Sequence, residues 1–277
     1  MKKVKKIFGG VVSRLFMFLK ELSLDVALRQ QRLDALAVRL SNIVKDISNQ
    51  YTGVVLTDSL QLKCTRYLHA FQISLVNDIL PELENPLIID IGDSAGTHIL
   101  YIKSIYRDKR IKAISVNLDK MAVERIKKLG LEALVCRAED LPNLGIKPDV
   151  FLCFEVLEHM SDPVRFLHSL ATVGAKYIII TVPFVRRSRV GFQHIRTKTR
   201  KMATAENMHI FELCPEDWKL LMMHSGWKVV KEKIYLQEPR WHPLYFTSIL
   251  WRKYDFEGYY GVILRPDFEW ERLYRDW

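Results

Sequence analysis

Two acids and a histidine, Glu155, Glu158 and His159, follow an apolar run from Asp149 to Phe154 that predicts a buried strand. In an open parallel sheet, ligands bind beyond the carboxyl ends of the strands. These three side chains are therefore predicted to face a crevice. A histidine with a pKa of about 6.5 can take up a proton at neutral pH, and carboxylates with imidazoles can hold a metal ion.

A second chemical feature is the small-residue turn after the apolar run from Leu87 to Ile91. The chain reads Gly-Asp-Ser-Ala-Gly from Gly92 to Gly96 and then becomes helical in pattern. Such a turn lets backbone N–H groups approach a ligand at a helix N-terminus. The turn alone is not specific, because nucleotide-binding dehydrogenases share it.

Two further predicted strands carry polar residues at their ends. Residues 113–116 lead to Asn117, and residues 134–136 lead to the block Arg-Ala-Glu-Asp-Leu-Pro that begins at Arg137. In order and spacing, the four strand ends resemble the class I S-adenosylmethionine-dependent methyltransferases. The similarity is greatest to the branch of ubiquinone-biosynthesis and other small-molecule O- and C-methyltransferases, and it covers roughly residues 65–235. It implies an α/β fold with a Rossmann-like seven-stranded sheet.

The resemblance also implies which residues bind S-adenosylmethionine. The cofactor-binding set is Asp90, Gly92, Ser94 and Gly96 at the methionine end, Asn117 at the ribose, Ala138 and Glu139 at the adenine, and Phe154 near the sulfonium. Two positions depart from the family pattern. Ser94 stands where a glycine is usual, and Asn117 stands where a carboxylate is usual, so ribose binding is expected to be weaker unless Asp119 compensates.

His159 and Glu158 are the predicted catalytic residues. An alcohol that attacks the methyl group must lose its proton, and His159 is suited to receive it. The alternative is that His159 only hydrogen-bonds the backbone at a helix start. Glu155, Glu158, His159 and the distant His209 also resemble the ligand set of metal-dependent 2′-O-methyltransferases of small RNA and of some quinone O-methyltransferases. The preferred prediction contains no metal, and a divalent metal is kept as the alternative.

The net charge of +10 is concentrated in two clusters without acids. The first covers the first twenty residues, and the second is the segment 185–201, which is predicted to lie over the acceptor site. The second cluster contains Arg186, Arg187, Arg189, Arg196, Lys198, Arg200 and Lys201. Such clusters favour an anionic acceptor or surface over a neutral one, although solvated basic faces are also common. Four cysteines without Cys-x-x-Cys spacing predict free thiols in a reducing compartment.

The N-terminal region is predicted to be one long helix. Apolar residues alternate at steps of three and four from Val12 to Ile47, with Arg29 as the exception, which predicts an oligomerising coiled coil about 54 Å long. Docking of this helix on its own domain is the alternative. The apolar run is too short and too charged for a membrane span or a cleaved signal peptide. With its lysines, it could serve as a peripheral membrane anchor.

The sequence thus predicts four regions: a basic N-terminal coiled-coil helix at 1–50, a helical lid or linker at 51–86, a class I methyltransferase domain at 87–265, and an aromatic tail at 266–277. The leading functional hypothesis is an O-methyltransferase acting on a glycan or other anionic small molecule. It would be a cytoplasmic homo-oligomer at the inner membrane face, serving bacterial surface-polysaccharide biosynthesis. The alternatives are an RNA 2′-O-methyltransferase and a coiled-coil scaffold with a degenerate cofactor site.

Overall fold

The computed structural model describes residues 2–191, 208–254 and 257–273. The strands in these ranges are β1 (Leu87–Ile91), β2 (Lys112–Asn117), β3 (Glu132–Val135), β4 (Val150–Phe154), β5 (Tyr177–Phe184), β6 (Arg189–Val190), β7 (Phe211–Glu212), β8 (Trp227–Leu236) and β9 (Gly258–Pro266). The helices are α1 (Lys2–Gln30), α2 (Asp34–Ile43), α3 (Ser59–Ile79), α4 (Thr97–Ile105), α5 (Lys120–Lys128), α6 (Pro163–Val173), α7 (Pro215–His224) and α8 (Ser248–Tyr254).

Seven strands form one mixed sheet in the order β3-β2-β1-β4-β5-β9-β8. The first five pair in parallel, and β9 is inserted antiparallel between β5 and β8. The sequence predicted the parallel strands and the final antiparallel hairpin. The short ribbon of β6 and β7 was not predicted, because two-residue strands carry no periodicity to detect.

Helices cover both faces of the sheet, and side chains that alternate along each strand separate the two cores. Ile88, Leu152 and Ile179 face the layer that contains α3 and α4. The adjacent Ile89, Phe151, Ile178 and Ile180 face the layer that contains α6 and α7, where Trp218 and Met222 are fully buried. This burial on both faces explains why β1, β4 and β5 read as continuous apolar runs.

The prediction of one continuous helix over residues 12–47 is wrong. The helix ends at Gln30, Arg32 takes a left-handed φ of 58°, and α2 begins at Asp34. The side chain of Gln31 stabilises the break, because it donates to the carbonyl of Leu236 at 2.8 Å and accepts from the N–H of the same residue at 2.8 Å. Both α1 and α2 contact α3.

The periodic apolar residues of this region are buried in one part and exposed in the other. Leu33, Leu40 and Ile47 are buried within the chain, whereas Leu15 and Leu22 are exposed on α1. The second half of the repeat therefore reflects packing within the chain. A periodic pattern alone cannot show whether an apolar stripe packs on its own domain or on a partner helix. Self-association through residues 12–47 stays a prediction.

The predicted lid at 51–86 is mostly part of the core. Leu68, Phe71 and Leu75 of α3 pack on the sheet, and a Cβ at Gly261 of β9 would lie 2.5 Å from Leu75 Cδ1. The glycine therefore permits the close approach of α3 to the sheet. The glycine turn is instead contacted by Gln50, which lies just before this region.

No helix among the described residues has the length and apolar character that crossing a membrane requires. The four cysteines are free thiols, and Cys153 is buried in β4. Part of the predicted basic segment, with His194, Arg196, Lys198, Arg200 and Lys201, lies outside the described residues, as do Tyr274 and Trp277 of the aromatic tail.

Candidate functional site

The predicted site residues converge on one edge of the sheet. Because β1, β2, β3 and β4 are parallel, their carboxyl ends lie side by side, with Asn117 paired to Val135 and Phe154 to Thr181 in register. The glycine turn, Asn117, the 3-10 turn that begins at Ala138, and Glu155 all follow these ends. The sheet thus assembles the residues that the sequence spreads over about seventy positions.

The glycine turn has the geometry that its composition predicts. Gly92 and Gly96 have φ values of 78° and 72°, a region that glycine occupies without strain. A Cβ at Gly92 would lie 2.9 Å from Val156 Cγ2, and one at Gly96 would lie 2.7 Å from Leu131 Cδ1. Both positions therefore require glycine for space as well as for conformation.

Asp93 holds this turn together and was missed in the sequence. Its Oδ1 accepts from the backbone N–H groups of Ala95 at 3.0 Å and Gly96 at 2.8 Å, and its Oδ2 accepts from the Ser115 hydroxyl at 2.7 Å. An aspartate that accepts from N–H groups two and three residues ahead is a common turn device. The Asp-Ser-Ala-Gly pattern contains that signal.

The side-chain amide of Asn117 hydrogen-bonds the glycine turn. Its side-chain N–H₂ donates to the carbonyls of Asp93 at 2.9 Å and Gly92 at 3.3 Å, and its Oδ1 accepts from the N–H of Asp119 at 2.9 Å. A carboxylate could not donate these bonds. The replacement thus has a structural role, and contact of Asn117 with ribose stays a prediction that only Oδ1 could satisfy.

Asp90 is buried at the end of β1, and His98 of α4 lies beside it. The His98 Nδ1 is 3.4 Å from Asp90 Oδ2, and His98 Nε2 is 2.8 Å from Gln72 Oε1. Gln72 in turn donates to the Thr181 hydroxyl at 3.1 Å. Burial and the neighbouring Asp93 raise the pKa of Asp90 to about 6. His98 and Gln72, which the sequence did not single out, connect the β1 end to the β5 end.

Four other residues of the predicted cofactor set lie at the same edge of the sheet. Ala138 is buried at the start of its 3-10 turn, and Glu139 is partly exposed beside Arg137. Phe154 ends β4, with its ring centroid 4.9 Å from that of His98. The hydroxyl of Ser94 donates to the backbone carbonyl of Gln50 at 2.7 Å.

Glu158, which is buried, and Glu155, which is half-buried, form an acidic pair. Glu155 takes a left-handed φ of 53°, a strained conformation for a residue with a side chain. Both carboxylate oxygens of Glu158, which is 0% exposed, lack a hydrogen-bond partner among the described residues. Burial raises the pKa of Glu155 to about 8, and burial with the charge of Glu155 raises the pKa of Glu158 well above its usual range. The pair is therefore suited to a nearby positive charge.

Two histidines complete this group. His159 Nε2 lies 3.8 Å from Glu158 Oε1, and its Nδ1 lies 3.0 Å from the carbonyl of Met208, to which it must donate. His209 Nδ1 lies 2.9 Å from Glu212 Oε1. The His159 and His209 rings meet edge to face at 4.8 Å. One ligand atom each from Glu158, His159 and His209 lies within 4.8 Å of the others.

Glu212 supports the histidines and was not predicted. It is buried, and it accepts from Arg189 Nε as well as from His209. Burial acts to raise its pKa, but the hydrogen bond from His209 and the charge of Arg189 hold that pKa below its usual value. Its position on the unpredicted strand β7 explains why sequence spacing could not reveal it.

The arginines of the basic segment are not all available to an acceptor. Arg186 Nε donates to both carboxylate oxygens of Glu257, at 2.8 and 3.0 Å, and Arg189 pairs with Glu212. Arg187 is exposed. Two of the three described cations of this segment therefore neutralise the chain's own acids, which weakens the sequence argument for an anionic acceptor.

Comparisons with known proteins agree with this geometry. Residues 89–176 match the family profile described as a methyltransferase domain. A tRNA U34 carboxymethyltransferase of Campylobacter jejuni subsp. doylei is 26% identical over 109 residues, which cover 38% of this chain and 38% of that protein. The chain thus aligns with well under half of the length of this curated relative.

Two solved structures share the fold across most of the chain. Magnesium protoporphyrin IX methyltransferase from Synechocystis PCC 6803, with bound S-adenosylhomocysteine, has a TM-score of 0.52 at 13% identity and covers 90% of this chain and 100% of its own. The 1,6-didemethyltoxoflavin-N1-methyltransferase of Burkholderia thailandensis, also with S-adenosylhomocysteine, has a TM-score of 0.52 at 11% identity, covering 84% and 89%.

The matched domain, the strand order and the glycine turn lead to one conclusion. Residues 89–176 contain a methyltransferase domain, and the described residues have the fold of two methyltransferases whose structures hold S-adenosylhomocysteine.

Proposed function

We propose that this chain transfers the methyl group of S-adenosylmethionine to a hydroxyl oxygen of a glycan or another anionic small molecule. The observation that carries the proposal is the cluster of half-buried Glu155, His159 and His209 around the fully buried Glu158 at the carboxyl edge of the sheet. The cofactor supplies an electrophilic methyl group, so the protein's main tasks are to position the acceptor and to receive its proton.

His159 is suited to receive that proton. Donation from its Nδ1 to the Met208 carbonyl fixes the tautomer in which Nε2 is the basic atom. Glu158 Oε1, 3.8 Å from this Nε2, would stabilise the imidazolium once it forms. The burial of Glu158 strengthens this interaction, because few water molecules screen it.

A divalent cation held by the same group is the alternative chemistry. The Glu158 oxygens, which accept no hydrogen bond from the described part of the chain, supply acidic ligand atoms. The Nδ1 bonds of His159 and His209 orient their rings as in many metal-binding histidines. A bound divalent ion would lower the pKa of the acceptor hydroxyl. The residues therefore fit either general-base or metal-assisted proton removal.

Catalysis can be tested with labelled cofactor. The chain is incubated with methyl-labelled S-adenosylmethionine and separate lipid, glycan, RNA and protein fractions, and labelled products are counted. With the acceptor found, His159→Ala should lower turnover by about 10²–10⁴-fold, while His224→Ala at the end of α7 should not. Loss of turnover on chelation, restored by one added metal ion, would replace the general-base mechanism with the metal alternative. No labelled product in any fraction would favour the scaffold hypothesis.

RNA is the second candidate acceptor. The curated relatives are named as tRNA-modifying enzymes, and the chain carries a net charge of +10. An RNA acceptor predicts labelled RNA and an affinity that falls steeply with salt. A glycan or small-molecule acceptor predicts label in the glycan or lipid fraction and a weaker dependence on salt.

We also propose that α1 contacts an anionic membrane surface or a second copy of the chain. Leu15, Phe18 and Leu22 are exposed on α1, and the sequence before them is rich in lysine. Removal of residues 2–14 keeps Leu24, a buried residue of α1 that a longer deletion would remove. That deletion, combined with Leu15→Glu, Phe18→Glu and Leu22→Glu, should abolish flotation with anionic vesicles if α1 binds a membrane, or lower the mass by light scattering if it binds a second copy. If it changes neither, both contacts are refuted.

A further inference from the structure

A short segment of the chain, residues 47–51, crosses the glycine turn and is called the strap here. Gln50, in its middle, is only 6% exposed although it belongs to neither a helix nor a strand. A glutamine is seldom buried unless its polar groups are bonded. The bonds of the strap therefore decide what it does.

Three side chains of the cofactor edge bond the strap. The Ser94 hydroxyl donates to the Gln50 carbonyl at 2.7 Å, and the Thr97 hydroxyl donates to Gln50 Oε1 at 2.8 Å. Arg125 Nη1 donates to the carbonyl of Asn49 at 2.7 Å, with the Ser94 carbonyl 3.4 Å away. The turn, the first residue of α4 and helix α5 thus each contribute a donor.

Ser94 is the position at which this chain departs from the usual glycine. A glycine would leave the Gln50 carbonyl without the hydroxyl that now bonds it. We propose that Ser94 is a positioning residue that latches the strap over the methionine end of the cofactor cleft, so that cofactor exchange requires the latch to open. The proposal rests on the cofactor site derived above, and it replaces a decayed site as the explanation of Ser94.

Hydrogen exchange and ligand release test the latch separately. In the ligand-free chain, Ser94→Gly and Ser94→Ala should speed amide exchange in residues 47–56 by on the order of tenfold, the effect of losing one hydrogen bond. In stopped-flow experiments, both variants should release S-adenosylhomocysteine several-fold faster. Thr97→Val should act in the same direction. Ser169→Ala, which removes a hydroxyl bonded within α6, is the matched control and should change neither rate.

Each other result refutes the latch in a distinct way. Unchanged exchange in both Ser94 variants would show that the hydroxyl does not hold the strap. Faster exchange with unchanged ligand release would show a strap that does not control the cofactor. Tighter binding in Ser94→Gly would support a damaged site instead. Failure of the unaltered chain to bind S-adenosylhomocysteine would refute the cofactor assignment itself, whatever the exchange rates.

Discussion

Asp93 and Glu158 are buried acids on the same edge of the sheet, but their surroundings are opposite. The Asp93 carboxylate accepts three hydrogen bonds from Ala95, Gly96 and Ser115. The Glu158 carboxylate accepts none from the described residues, and burial raises its pKa. A satisfied buried acid stabilises a fold, whereas an unsatisfied one costs stability. The contrast indicates a structural role for Asp93, and it supports our proposal that Glu158 meets a ligand.

The largest expected effect comes from removing the satisfied acid. Asp93→Ala should lower the free energy of unfolding by about 3–5 kcal/mol, because two turn N–H groups and a buried hydroxyl lose their acceptor. Chemical denaturation measures this change. Asp58→Ala, which removes a half-buried cap bonded to Leu60 and Gln61, is the control and should cost about 1 kcal/mol. Equal losses in the two variants would contradict a special role for Asp93.

The turn that Asp93 holds can be altered without touching the acid. Gly92→Ala should weaken S-adenosylhomocysteine binding on the order of 100-fold, because the new Cβ would lie 2.9 Å from Val156 Cγ2 and distort the turn. Gly145→Ala is the matched control, since Gly145 has a similar φ of 71° but open space around its Cβ position. Calorimetry should show normal binding in the control. Normal binding in Gly92→Ala as well would mean that the turn does not contact the cofactor.

Replacing Glu158 should change the free energy of unfolding in the direction opposite to that expected for Asp93→Ala. Glu158→Gln should raise the free energy of unfolding of the ligand-free chain by about 1–2 kcal/mol at neutral pH while impairing turnover, because glutamine can be buried without the cost of protonating a carboxylate that is ionised in the unfolded chain. Glu212→Gln is the control: Glu212 is paired with Arg189 and His209, so its replacement should destabilise the chain.

The pH dependence sharpens this test. Raised pKa values mean that folding favours protonated Glu155 and Glu158, so their contribution to stability is full below pH about 4.5 and is lost as the pH rises through about 8. The advantage of Glu158→Gln over the unaltered chain should therefore grow between pH 5 and 8 in denaturation curves. A constant difference would contradict the unpaired state of the acid.

The smallest effects concern the arginines near the acceptor side. Arg187→Ala should raise the KM of an anionic acceptor about 3–10-fold, whereas Arg186→Ala should lower stability by no more than about 1 kcal/mol, since Arg186 is half exposed and pairs with Glu257. Neither variant should change cofactor affinity. If Arg187→Ala leaves the KM unchanged and Arg186→Ala raises it, the roles assigned to the two arginines are reversed.

The sequence by itself determined the parts of the molecule that local patterns encode. The apolar runs of β1, β4 and β5, the glycines of the turn and the Glu-Val-Leu-Glu-His block gave the sheet and its carboxyl edge. These features are local because strand periodicity and left-handed turns depend on a few consecutive residues. Asp93 belongs to the same class, and the Asp-Ser-Ala-Gly pattern would have revealed it.

Only the tertiary structure decided which partners the polar and apolar groups take. The apolar repeat of residues 12–47 is divided at Arg32 because α2 packs on α3, and no periodicity distinguishes that partner from another chain. In the sequence, Arg186 has no apparent acidic partner. The fold places Glu257, seventy-one residues later and just before β9, beside it. From the sequence alone, Ser94 is a departure from the usual glycine that suggests a damaged cofactor site. The structure shows that its hydroxyl bonds the strap. Burial, pairing and pKa are properties of surroundings assembled from distant residues, so they are fixed only when the chain folds.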